Sequence, residues 1–142
     1  MNPDAKFFWA WHDLADLYAA RRMFVEALPF AEKAFSLVPW YTQAVGVYAA
    51  LLVRTGERYR GLELIRRLGT GEAYGASTGL AIFHTHCGEI DLAADWFEKA
   101  IEERNPSVGY LLQRATGEPL RASPRWPKLA ALMNLPKETE IS

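Results

Sequence analysis

The stretch WHDLADLYAARRMFVEALPFAEKAFSLVP, residues 11–39, holds two amphipathic runs separated by a short turn near Arg22. Trp11, Leu14, Ala15 and Tyr18 fall on one stripe of a 3.6-residue period, and Phe24, Ala27, Ala31 and Ala34 fall on another. Each run therefore predicts a helix with one apolar face, and the short turn makes the two antiparallel. Pro39 marks the end of the second helix. Pro29 is expected within the first turn or so of that helix, where a missing donor costs little. Upstream, Asn2 can cap the first helix, Pro3 fits its first position and Asp4 complements the positive end of its dipole.

The same ladder recurs further along. Trp11, Leu14, Ala15 and Tyr18 correspond to Val45, Tyr48, Ala49 and Leu52, 34 residues later, and Ala27, Ala31 and Ala34 correspond to Gly61, Ile65 and Leu68. A third copy follows after 32 residues, with Leu80, Ala81 and His84, then Gly88, Ile90, Ala93, Phe97 and Ala100, closing at Asn105 and Pro106. The second copy is thus two residues short. Three hairpins are expected, over about 8–41, 42–73 and 74–107. Each carries more apolar surface than it can bury alone, so stacking must supply the core.

These residues resemble the tetratricopeptide repeat, a helix–turn–helix unit of about 34 residues with small side chains where its helices cross. The first copy carries the resemblance most fully, through Trp11, Leu14, Ala15, Tyr18, Ala27, Ala34 and Pro39. In the second, Gly61 replaces an alanine, Leu68 stands at a commonly small position and no proline closes the unit. The third has Ser77 in place of a bulky first residue, but its ending DLAADWFEKAIEERNP, residues 91–106, is very similar to the family. The resemblance implies an all-α, right-handed α-solenoid that binds other proteins.

After residue 107 the plan changes. A short apolar helix is expected around Val108 to Leu112, then a proline-punctuated loop, then a helix from about Pro124 to Met133. Residues 108–136 read as capping helices, with Leu111, Leu112, Leu120, Trp126, Leu129, Leu132 and Leu135 able to cover the last repeat, and 137–142 as a tail. The segment EPLRASPRWPKLAALMNLP, residues 118–136, also resembles, more loosely, the end of tetratricopeptide regions in bacterial signalling proteins such as protein kinases, adenylate cyclases and winged-helix regulators. No kinase or DNA-reading motif accompanies it.

Composition agrees with a helical reading. Among 142 residues there are 21 Ala and 17 Leu but only 6 Val and 5 Ile, a balance that favours helix because unbranched side chains lose little rotamer freedom there. Half the chain is apolar, too much for disorder. A net charge of −1 supplies no basic field for nucleic acid. The single cysteine, Cys87, excludes an intramolecular disulfide, and neither a secretory pattern nor a membrane-length apolar window is found, so the expected compartment is the cytoplasm.

Several strings invite chemistry and fail on context. Gly75-Ala76-Ser77-Thr78-Gly79 matches a nucleophile elbow, but no strand precedes it and Ser77 occupies a helical ladder position. Gly69, Gly71, Gly75 and Gly79 lack the Gly-Lys-Ser/Thr of a phosphate loop; the first two suit a helix stop, the last two a close approach of a helix or a ligand. On a helix His84 and His86 point roughly 200° apart, so only His84 and Cys87 could share an ion. No catalytic residue, metal or other cofactor is expected. Arg54, Arg58, Arg60, Arg66 and Arg67 form a locally basic stretch, read as a solvated face or as a docking patch for an acidic segment.

Stacked first helices should leave a concave side. Beside the core stripe it would carry Trp9, His12, Asp16 and Ala19, then Gln43, Gly46, Ala50, Val53 and Arg54, then Gly75, Thr78, Ile82 and His86. With only Arg54 as a cation and Asp16 opposing it, a clamp for a terminal carboxylate is not expected. Small and apolar side chains suit a peptide or helix of a protein partner, or else the chain's own tail or a second copy. Self-association is the other expectation, because Phe7, Phe8, Trp9 and Trp11 cannot all hide on one helical stripe. A non-catalytic interaction module, or a homo-oligomerising part of a larger bacterial signalling protein, is the function expected.

Overall fold

The computed structural model describes residues 6–69, 71 and 73–134. Its helices are α1 (Phe8–Ala20), α2 (Phe24–Leu37), α3 (Thr42–Arg54), α4 (Arg58–Ile65), α5 (Ala76–His86), α6 (Ile90–Glu102), α7 (Ser107–Leu112), α8 (Glu118–Arg121) and α9 (Trp126–Leu132). Two 3-10 turns follow α4 and α7, at Arg66–Leu68 and Ala115–Gly117. The capping signal at Asn2, Pro3 and Asp4, the cap residue Leu135 and the tail 137–142 lie outside the described residues.

The ladder reappears in the backbone. α1, α3 and α5 each end in a left-handed residue, Arg22 (φ 61°), Gly56 (φ 97°) and Gly88 (φ 79°). In every case the amide after it reaches back to a ladder carbonyl: Met23 to Tyr18 at 2.9 Å, Glu57 to Leu52 at 2.7 Å and Glu89 to His84 at 2.9 Å. The left-handed residue's own amide bonds the carbonyl three residues before it, at Ala19, Val53 and Thr85. This is the paired-bond C-cap that lets a chain leave a helix and turn at once. Its spacing of 34 and then 32 residues repeats the interval read from the side chains.

Packing follows chain order. α1 pairs with α2, α3 with α4 and α5 with α6, while α3 also packs on α1, α2 and α5. Surrounded in this way, α3 buries every residue from Gln43 to Leu52, so it has no polar face. α3 and α5 approach to backbone contact: a Cβ on Gly46 would lie 2.3 Å from the Gly79 carbonyl oxygen, and one on Gly79 would lie 2.5 Å from that of Thr42. Only residues without side chains permit this crossing. These glycines therefore serve a helix–helix contact.

The structure departs from the sequence expectations at five places. Pro29 is the sixth residue of α2, in its second turn, so it removes one intrahelical bond that the Val25 carbonyl would otherwise accept. The buried stripe of α1 is Phe8, His12, Ala15 and Ala19. Trp11 and Tyr18 flank that stripe, stacked on Phe30 at 5.9 and 5.5 Å between ring centroids, and Leu14 is exposed. The proline-punctuated loop is itself partly helical, containing the 3-10 turn and α8. The last helix begins at Trp126, two residues after Pro124. Leu111, Leu112, Leu120 and Leu129 are buried, whereas Leu132 is exposed.

Candidate binding surface

The chain's own segment 105–117 lies against α1, α3 and α5 and is bonded to residues of all three. Leu111 and Leu112 are buried there, and a chain of polar bonds anchors the segment's beginning. Gln43 Nε2 donates to Ser107 Oγ (3.1 Å), Ser107 Oγ donates to Asn105 Oδ1 (2.7 Å), and Asn105 Nδ2 donates to Thr78 Oγ1 (2.8 Å). The segment's end is held by Asp16: His86 Nε2 lies 2.8 Å from one carboxylate oxygen and the Thr116 hydroxyl donates to the other. Arg54 Nε donates to the His86 carbonyl at 2.9 Å, and its guanidinium lies over the Phe24 ring.

Burial favours the protonated form of Asp16, but the bonds from His86 and Thr116 outweigh it and hold the carboxyl below its ordinary value. The ionised Asp16 therefore accepts from both partners. His12 is different. Burial lowers its pKa against the pull of Asp16 and Asp13, and its Nδ1 is buried without a hydrogen-bond partner.

Of the thirteen residues expected on the groove side, Ala19 is buried, Gly75 is half-buried at the start of α5, and the other eleven are divided. Gly46, Ala50, Thr78 and Ile82 are buried in the core, with Gly46 against Gly79. Val53 is half-buried, and a Cβ on Gly61 would meet its side chain at 2.7 Å. Arg54 and His86 are committed to internal bonds. Trp9, His12, Asp16 and Gln43 remain together, lining a cavity of about 530 Å³ with Asp13, Tyr41 and the cap residues Tyr110, Leu111 and Arg114. A smaller space of about 230 Å³ lies beside Arg54, His86 and Thr116.

Beside the larger cavity is a third of about 400 Å³, bordered by Trp40 and Tyr74, and the two share Tyr41, Gln43, Pro106 and Ser107. The pair is bordered by exposed aromatic side chains: Trp9 56%, Trp40 78%, Tyr74 86% and Tyr110 57%. Tyr41 sits at the junction with its ring edge-on to Trp9 at 5.4 Å, and burial followed by Asp13 pushes its hydroxyl up to about 12. Sequence reasoning missed Trp40, Tyr41 and Tyr74 because they stand in connections between helices, where a helical ladder has no positions. Tyr110 lies in α7, where the sequence signals only the buried face formed by Val108, Leu111 and Leu112.

Ser77 is buried inside α5, its hydroxyl turned to the Gly71 carbonyl. His84 Nδ1 lies 3.0 Å from Glu89 Oε1. Burial pushes the Cys87 thiol up to about 12, so it is a poor thiolate. Among the described residues no three metal-ligating side chains gather, and no helix is long and apolar enough to cross a membrane. Compared with known proteins, the chain matches no family model, no curated protein and no solved structure.

Proposed function

We propose that the chain is a non-catalytic protein–protein interaction module of tetratricopeptide type. In this reading three hairpins form a right-handed solenoid, residues 105–117 occupy its concave face, and a partner segment docks on the aromatic border of the two joined cavities. The observation that carries it is the band of Trp9, Trp40, Tyr74 and Tyr110 around those cavities. Aromatic side chains are enriched at the centres of protein interfaces, where they bury large area at small entropic cost, and clustered exposure of this kind is uncommon on a surface that binds nothing.

The test is quantitative capture of partners by the wild type and by a Trp40→Ala/Tyr74→Ala variant, with Trp9→Ala as a second probe. Loss of an aromatic anchor is expected to weaken binding by about 2 kcal/mol, roughly thirtyfold. Undiminished capture by all variants would sink the reading. A second reading, self-association through the same band, is favoured by the 50% exposure of Phe7, two residues before Trp9 in the chain. Sedimentation distinguishes the two, since self-association requires a dimer that the double variant dissolves.

A further inference from the structure

A second surface lies between α2 and α4, apart from the aromatic band. The second helices of the first and third hairpins have 14 and 13 residues, whereas α4 has eight and runs into the tight turn Arg66–Leu68. The shortened helix leaves a groove of about 790 Å³, walled by α2 and α4 and floored by Tyr48 and Leu52 of α3.

The groove offers both apolar and cationic contacts. Phe35 is half-buried on one wall, and Tyr59, on the other, is 76% exposed. Three arginines also line it. Arg66 pairs with Glu63. Arg60 reaches only the Tyr48 hydroxyl, at 3.3 Å, and Arg67 lies over the Phe35 ring at 5.6 Å. Among the described residues neither Arg60 nor Arg67 has a carboxylate within ion-pair distance. Against these two cations the groove carries one carboxylate outside an ion pair, Glu32, so its excess charge is positive.

We propose that the α2–α4 groove binds an acidic peptide segment of a partner protein, one bearing an aromatic or branched aliphatic side chain. The apolar side chain lies on Phe35 and Tyr59, and the carboxylates pair with the planar, multi-donor heads of Arg60 and Arg67. This assignment does not rest on the aromatic band.

The experiment is selection of a display library of random twelve-residue peptides on the full chain, followed by fluorescence anisotropy of the selected peptides. Expected are sequences rich in Asp and Glu with an aromatic or aliphatic residue. Their affinity should fall at least tenfold on Arg60→Glu/Arg67→Glu, fall in Tyr59→Ala, weaken with added salt, and stay unchanged in Trp9→Ala. Circular dichroism establishes that each variant is folded, and Arg60→Gln/Arg67→Gln replaces the charge reversal if that variant is not. The proposal is overturned if no acidic class is enriched, or if its members bind the folded arginine variants as tightly as the wild type. Peptides lost only in Trp9→Ala or Trp40→Ala/Tyr74→Ala would support the aromatic band and count against this groove.

Discussion

Between α3 and α5 the backbones touch through Gly46 and Gly79, whereas between α2 and α4 a groove of about 790 Å³ stays open. Both contacts join the second hairpin to a neighbour, yet one tolerates no added atom and the other has space to spare. The difference lies in which helix kept its length. α3 has 13 residues and is packed on all sides, while α4 has eight and cannot extend along the whole of α2. Full-length helices close the core, and the truncated one leaves surface uncovered.

The sharpest way to break this contrast is Gly46→Arg, whose side chain would start 2.3 Å from the Gly79 carbonyl oxygen. A loss above about 4 kcal/mol is expected, enough to abolish a cooperative thermal transition. A variant that melts like the wild type would disprove backbone contact. Asp16→Ala comes next. It strips two bonds from a largely buried carboxylate and should cost about 2–4 kcal/mol by chemical denaturation. In the wild type the stabilisation from Asp16 is complete above the ordinary carboxylate range, because its folded pKa is lowered, and it drains away as pH falls through that folded value.

His12 provides a third measurement. Its folded pKa is lowered by burial, so below the ordinary histidine value the unfolded chain binds the extra proton and stability declines as pH falls. The slope contributed is at most about 1.4 kcal/mol per pH unit while pH lies between the two values. His12→Gln should flatten the fall in melting temperature between neutral and mildly acidic pH. On the open side, Arg67→Ala should change stability by less than about 1 kcal/mol, since it gives up one exposed contact with Phe35. The smallest effect has the opposite sign. Arg22 holds φ at 61° where the equivalent turns use Gly56 and Gly88, so Arg22→Gly should stabilise by about 0.5–1 kcal/mol.

The ladder was legible because several of its matches mark a physical requirement. Ala15, Ala27, Ala49 and Ala93 are fully buried where helices cross, and Tyr18, Leu52 and His84 supply the carbonyls that close three identical turns. The face expected to be concave was less legible. Trp9, His12, Asp16 and Gln43 do meet in one cavity, but the bonds that bring Asn105, Ser107 and Thr116 across that face obey no period. Such polar contacts join residues 27 to 100 positions apart and depend on where the finished helices point. The aromatic band escaped notice for the same reason, since Trp40, Tyr41 and Tyr74 belong to connections whose side chains acquire a common direction only after the helices pack.

The Asp16 carboxylate joins the first helix to a turn 100 residues further on. In a linear array whose units touch only their neighbours, the terminal units can fray while the middle stays intact. Here α1 is fastened to the turn after α7 through Asp16, His86 and Thr116, so the first hairpin is tied to a segment well beyond its neighbour. Amide protons of α1 and of the turn Ala115–Gly117 should therefore exchange with solvent together, at a rate set by one shared opening event, and α1 cannot peel away without releasing that turn.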